Sequence, residues 1–230
     1  MTAALAIFVK TPGLSPVKTR LAAGIGASAA QRFHQLAASA TAEVARACEP
    51  WLTPYWAIAE AGPVAVAAWP EFASLHQGHG DLGERLHTVY ARLQAHHGHV
   101  LLIGADAPQL TVASLRHALT LLDDADTPCV IGNATDGGFW LFGGRVPIAS
   151  EVWCAVRYSH PNTAMQLRAA LQPLGSVAVA PALTDVDEAA DIDALEHALA
   201  ALPAPLPAQR ELLHWLAARR QPPAVACTPS

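Results

Sequence analysis

The sequence predicts a three-layer α/β/α domain on a mostly parallel sheet, and three observations carry that prediction. The unbroken apolar run at 5–9 and the run His99–Ile103, apolar after its first residue, read as buried strands. Between them lie stretches with apolar residues three and four apart, the period of helices that cover a sheet. The two kinds of segment alternate along 230 residues, which suits one sizeable α/β domain.

In chain order, the first strand at 5–9 leads into Lys10-Thr11-Pro12-Gly13-Leu14-Ser15-Pro16-Val17-Lys18-Thr19-Arg20. Its prolines and glycine predict a loop, with a helix after Gly26. Phe33, Leu36, Ala40, Val44 and Ala47 give that helix, over 27–47, one apolar face. Pro50 and Pro54 interrupt, and 55–59 reads as the second strand. A Gly-Pro turn at 62–63 follows. Asp81 with Glu84 forms a capping box ahead of the stripe Leu82, Leu86, Val89 and Leu93. After the strand at 99–103, a helix is expected over 112–122, then strands at 129–132 and 138–142. Pro161 suits the first turn of a helix reaching Leu171. A last strand at 177–180 precedes helices at 188–200 and 208–219, separated by a Pro-rich hinge at 203–207. Residues 1–220 are read as one domain, and 221–230, with three prolines, as a disordered tail.

Composition narrows the function classes. The chain is 52% hydrophobic and 14% charged, with net charge −5 and a pI of about 6.1. No broad basic field is available for a nucleic-acid backbone, so the basic loop points to a small anionic ligand. Cysteines at 48, 129, 154 and 227 include no C-x-x-C pair and fit a reducing cytoplasm. No secretory signal pattern opens the chain, and no run approaches the roughly 20 apolar residues that span a bilayer. A cytoplasmic protein without membrane or nucleic-acid partners is expected.

Several local patterns could carry chemistry. Lys10, Lys18 and Arg20 surround a loop that follows a buried strand, where open α/β sheets bind phosphorylated ligands. An ordinary solvated loop reads equally well. Both Lys18 and Arg20 stand outside any apolar stripe, so their removal is expected to cost little packing. Asp106 follows the strand at 99–103, a position for holding a divalent cation or for capping a turn before Pro108. Alternation puts Asp185 and Asp187 on one side of an extended segment, where Asp187 could equally be a helix N-cap. Asp136-Gly137-Gly138 is a tight turn or a place of close ligand approach. Amides near Gly80 and Gly83 could meet an anion, or simply be capped by Asp81. His76, His79, His96, His97 and His99 read as surface residues. No Walker A loop, dinucleotide turn or serine-nucleophile elbow is present.

In order, Phe8-Val9-Lys10-Thr11-Pro12-Gly13, Val17-Lys18-Thr19-Arg20-Leu21, Gly80-Asp81-Leu82-Gly83-Glu84-Arg85, Gly104-Ala105-Asp106-Ala107-Pro108-Gln109-Leu110-Thr111, Asp136-Gly137-Gly138-Phe139-Trp140-Leu141 and Asp185-Val186-Asp187 resemble the DUF2064 family. Its proteins are glycosyltransferase-A-like transferases, some assigned to arsenosugar biosynthesis. The resemblance spans about residues 4–200. The first loop is also similar to that of nucleotidyltransferases such as phospholactate guanylyltransferase.

The resemblance implies a nucleotide-diphospho-sugar transferase fold. It implies a nucleotide held by Lys10, Pro12, Gly13, Lys18, Arg20, Gly80, Gly83 and Asp106, with Mg²⁺ or Mn²⁺ on Asp106 and Asp187. Lys18, Arg20 and Asp136 are the expected catalytic groups. The partners are a nucleotide sugar, or a nucleoside triphosphate, and a small acceptor. Sugar transfer is the first reading and nucleotidyl transfer with pyrophosphate release the alternative; a non-catalytic nucleotide-binding protein is third. The chain departs from the family at Ala107, Gln109, Gly132-Asn133-Ala134-Thr135, Tyr158-Ser159-His160 and Glu188-Ala189-Ala190-Asp191. The changes ahead of Glu188 are expected to lie on the acceptor side.

Overall fold

A computed structural model describes residues 2–220, so the expected tail at 221–230 lies outside the described residues. Strand β1 (Ala3–Val9) runs two residues further N-terminal than the apolar run suggests. After it the chain does not stay a loop up to Gly26: α1 (Thr19–Ile25) forms first, followed by α2 (Ala27–Ala47). Arg20 therefore stands in a helical first turn, a correction to the loop reading. Strand β2 (Leu52–Ile58) begins before Pro54, which pairs with Leu5 of β1 where no third strand flanks it. Pro54 is tolerated because its missing N–H faces that open side. Two short elements had too few residues to show a period, α3 (Pro63–Ala67) and β3 (Ala73–His76).

The capping box of α4 (Leu82–His97) forms as expected, with the Glu84 amide donating to Asp81 Oδ1 at 3.0 Å and the Asp81 amide to Glu84 Oε2 at 2.8 Å. Then come β4 (Val100–Gly104), α5 (Val112–Leu122), β5 (Cys129–Ala134) and β6 (Phe139–Gly144). The short α6 (Ser150–Cys154) precedes α7 (Thr163–Leu171). Pro161 falls outside α7, whose N-cap is Asn162. The described residues end with β7 (Val177–Leu183), α8 (Asp191–Ala200) and α9 (Pro207–Arg220).

The strands lie in the order β3-β2-β1-β4-β6-β5-β7, with β6 antiparallel to β4 and β5 and the other pairs parallel. Alternate side chains of the central strands feed two cores. Leu5, Ile7, Val9, Leu101 and Ile103 pack against α2 and α5. Ala4, Ala6, Val100 and Leu102 pack against α4 and α7, where Trp153 meets Tyr90 and Phe142. A third cluster joins α1, α2, α8 and α9 around Leu21, Phe33, Leu36, Val186, Leu195 and Leu212. Among the described residues no helix is long and apolar enough to cross a membrane.

One consequence of the strand order positions the site. From β1 the chain winds outward through β2 to β3, then returns to lay β4 on the other side of β1. The carboxyl ends of β1 and β4 therefore border the crevice where ligands of open α/β sheets bind. Lys10 and Asp106 follow those two ends.

Candidate functional site

A cleft of about 580 Å³ opens at this crevice. One wall carries Lys10, Lys18 and Arg20, with Asp106, Asp185 and Asp187 behind them. Asp136, Phe139 and Trp140 contribute from the β5–β6 side, and Tyr158, Ser159 and His160 face them.

Lys18 is the centre of the first wall. It caps α1 with left-handed backbone angles, φ 47° and ψ 48°, and its carbonyl accepts from the Ala22 amide at 2.8 Å. Such angles are uncommon outside glycine and asparagine and persist where the surroundings hold them. The ammonium is buried, with 5% of the side chain exposed. Its Nζ lies 2.8 Å from Asp106 Oδ1, 3.1 Å from Asp187 Oδ1 and 2.6 Å from the Val186 carbonyl. Asp185 Oδ1 is further away, at 3.8 Å. Burial alone would lower the Lys18 pKa, but Asp106, Asp185 and Asp187 outweigh it and raise the pKa above the ordinary lysine value. Arg20 pairs with the other oxygen of Asp187 and stays largely in solvent.

The three carboxylates are brought together by backbone ties. The Val186 amide donates to the Asp106 carbonyl at 3.2 Å, and the Val186 side chain is fully buried in the third core cluster. Asp187 is not a helix cap. The Asp191 carboxylate accepts from the Asp187 and Glu188 amides at 2.9 and 2.8 Å, and α8 starts only at Asp191. Gly24 of α1 lets this segment come close, since a Cβ there would stand 2.6 Å from Ala189 Cβ. Burial is the main reason that the Asp185 carboxyl is pushed up to about 7. Asp106 adds to the rise, Lys18 opposes it, and Asp187 and Asp136 contribute further. Asp185 Oδ1 is buried without a hydrogen bond.

The opposite wall is a turn. Asp136 Oδ1 accepts from the Gly138 amide at 2.8 Å, and Gly137 has φ 88°. A Cβ on Gly137 would stand 1.8 Å from the Pro161 carbonyl oxygen, so the loop before α7 crosses here at contact distance. Ser159, with φ 56°, is the second non-glycine residue with left-handed backbone among the described residues; it and Lys18 both line the cleft.

The sequence-predicted site residues divide. Lys10, Lys18, Arg20, Asp106, Asp136 and Asp187 line the cleft. Pro12, Gly13, Gly80 and Gly83 are not on its wall. Pro12 bridges to Ser15, and Gly83 packs where a Cβ would meet the Trp153 carbonyl at 2.8 Å. Three residues to which the sequence reading gave no site role also matter. Asp185 joins the carboxylates, and the alternation with Asp187 was its signal. His34 on α2 lines the cleft, 5% exposed, with Nε2 donating to the Lys10 carbonyl at 2.9 Å. Burial lowers its pKa below the ordinary value. Gln77, after β3, donates through Nε2 to the Val9 and Ala57 carbonyls at 3.3 and 2.8 Å. Neither His34 nor Gln77 belongs to a spaced pattern in the sequence by which it could be found.

The departure at Gln109 lies behind the carboxylates and off the cleft wall. This buried side chain donates to the Thr184 carbonyl at 2.7 Å, linking the Asp106 loop to the segment bearing Asp185. Ala107 is buried in the first core cluster. Tyr158, Ser159 and His160 do face the cleft.

The divalent cation that the resemblance implies finds fitting donors here. Asp106, Asp185 and Asp187 offer hard oxygens, one of them buried and unbonded. No group of three or more His, Cys, Asp or Glu side chains forms a ready-made cage among the described residues. The carboxylates converge on an ammonium instead.

Comparisons with known proteins agree with this architecture. The family described as "Uncharacterized protein conserved in bacteria (DUF2064)" matches residues 31–160, more than half of the chain. That stretch includes Asp106 and Asp136 and omits Lys18, Arg20 and Asp187. No curated protein sequence matches. Among solved structures, a Desulfovibrio desulfuricans G20 protein provisionally assigned as a nucleotide-diphospho-sugar transferase superposes with TM-score 0.80. It is 24% identical, over 95% of this chain and 96% of that one. The 4-diphosphocytidyl-2C-methyl-D-erythritol synthase of Anaerococcus prevotii DSM 20548 gives 0.58 at 11% identity, over 86% and 98% of the two chains. A CMP:2-keto-3-deoxy-manno-octonic acid synthetase complexed with CTP gives 0.51 at 14%, over 87% and 99%. At these identities the likeness is one of fold.

Proposed function

The chain belongs to the DUF2064 family, and from that premise we propose that it is a transferase acting on a nucleotide-activated donor, with sugar transfer to a small acceptor as the first reading. One observation carries the proposal: Lys18, Arg20, Asp106, Asp185 and Asp187 gather from three distant stretches of the chain onto one wall of a cleft at the sheet's switch point. So many charges in a shared, part-buried place suit a site that manages the charge of a diphosphate.

In this reading the donor's diphosphate lies along the first wall. Lys10 and Arg20, both exposed at the cleft, neutralise charge on its oxygens as the bond to the leaving group lengthens. Asp106 and Asp187, joined by Asp185, would hold Mg²⁺ or Mn²⁺. Such an ion supplies Lewis-acid stabilisation of the departing diphosphate. Asp136 faces them from the second wall. One of its oxygens is fixed by the Gly138 amide, and in this reading the other would accept a proton from the acceptor hydroxyl. That hydroxyl attacks the anomeric carbon, and a nucleoside diphosphate leaves.

A second reading is nucleotidyl transfer. Three structures that share this fold at TM-scores of 0.51 to 0.58 are cytidylyl-type synthases, one of them complexed with CTP. A substrate phosphate would then attack the α-phosphorus, and pyrophosphate would leave. Thermal shifts with nucleoside triphosphates and nucleotide sugars, with and without Mg²⁺ or Mn²⁺, test donor binding. Product analysis then separates the readings. A nucleoside diphosphate released from a nucleotide sugar supports sugar transfer, whereas pyrophosphate from a triphosphate with no sugar turnover reverses the order. No shift with any nucleotide sinks both.

A further inference from the structure

We propose that the Lys18 ammonium is a resident counter-ion which occupies the place of the divalent cation, so that the metal enters only with the nucleotide that draws Lys18 away. The inference deepens the transferase reading and rests on it for the nucleotide.

A lysine ammonium has three N–H donors. Asp106 Oδ1, Asp187 Oδ1 and the Val186 carbonyl, all within 3.1 Å of Nζ, use all three. Nothing is left for Asp185 Oδ1, which is 3.8 Å away, buried and without a hydrogen bond. Asp106 and Asp187 are also the two oxygens that a cation bridging these segments would need. An ammonium and a divalent ion cannot share that position, because like charges at such a distance repel strongly.

Exchange also improves the charge balance. In the free protein Lys18 and Arg20 face three carboxylates. With Lys18 withdrawn, Arg20 and one divalent ion face the same three, and the charges match. The four-carbon stem lets the ammonium swing without moving the helix that Lys18 caps. What it needs is another anion of comparable strength, and a nucleotide phosphate arriving in the same cleft supplies one.

The test is Mn²⁺ binding to the full chain without nucleotide, followed by electron paramagnetic resonance. Lys18→Met keeps most of the length of the side chain and removes its charge, and Lys18→Asn also suits the left-handed backbone. Both variants should bind one Mn²⁺ at least tenfold more tightly than the wild type. Asp185→Asn added to Lys18→Met should remove most of that gain. Mn²⁺ should also raise the melting temperature of both variants and leave that of the wild type unchanged, a readout that survives a less stable fold. Tight Mn²⁺ binding by the wild type alone, or no gain in either variant, overturns the proposal. Gained affinity in the variants upholds the counter-ion role even where the wild type binds no nucleotide, the result that sinks the transferase reading. Nucleotide binding by the wild type with no gain in the variants does the reverse.

Discussion

Lys18 and Arg20 stand two residues apart and meet the same carboxylate, yet their surroundings give them different energetic weight. Lys18 has 5% of its side chain exposed and Arg20 has 60%. Removing one partner from a buried ion pair costs about 3–5 kcal/mol, because the remaining charge stays buried. A solvent-exposed pair contributes about 0–1 kcal/mol. Lys18→Ala should therefore lower unfolding stability more than Arg20→Ala in urea titrations, though by less than the fully buried figure because Asp106, Asp185 and Asp187 keep 36, 24 and 28% of their side chains exposed; Arg20→Ala should lose less than about 1 kcal/mol. Equal losses would mean that the Lys18 charge is not shielded from water. The burial of the Lys18 side chain runs against the expectation of little packing cost there, and the urea titration of Lys18→Ala tests it. His34 is a second case. Burial holds its pKa below 6.5, with Asp106 and the Lys10 carbonyl opposing and Lys18 adding to the fall. As pH drops, the unfolded chain takes up the proton first, so stability is lost below about pH 6.5. His34→Gln, which keeps a donor for the Lys10 carbonyl, should flatten that acid limb in pH-dependent melts; an unchanged limb would assign it to other groups.

Among the elements, α1 and the segment before α8 act as a pair. Gly24 sits where a Cβ would meet Ala189 Cβ at 2.6 Å, so the two approach more closely than side chains would permit. Gly24→Ala should cost about 1–3 kcal/mol, the usual range for forcing extra atoms into a packed contact. It should also weaken nucleotide affinity, because the displaced segment carries Asp185 and Asp187. Melting and ligand titration of the one variant measure both effects, and normal values of each would remove the close approach from the site's design. On the other wall, Gly137 combines φ 88° with a 1.8 Å clash against the Pro161 carbonyl. Gly137→Ala should therefore lose more than about 1 kcal/mol and disturb the Tyr158-Ser159-His160 loop, which intrinsic fluorescence and melting can follow. Regular elements with a full period were legible beforehand: α2, α4, α5, β1 and β4 all stand within a few residues of their expected spans. The short helices α1, α3 and α6, and the four-residue strand β3, were not. Two turns are too few to display a period, and packing against neighbours holds them in place.

For the whole molecule, the order β3-β2-β1-β4-β6-β5-β7 places two chain crossings on either side of β1 and so opens the cleft. A nucleotide bound there at 100 times its dissociation constant should add about 2.7 kcal/mol of stability. Hydrogen-exchange protection should rise at 10–20, 104–110 and 184–191 together, because one ligand would span all three segments. Protection confined to one segment would argue against a shared site. Alternating apolar and helical periods, together with six ordered motifs, were enough by themselves to determine the α/β class, the family and the position of most charged groups at the sheet's carboxyl edge. Periodicity is a local property, and it survives in a single sequence. Which charges meet is not local. That Lys18 lies among Asp106, Asp185 and Asp187, that Asp191 rather than Asp187 accepts the neighbouring amides, and that Gln109 ties two acidic segments together all depend on strand order and on helices packed across it. Only the tertiary structure decides such contacts, because their energy comes from burial that no segment achieves alone.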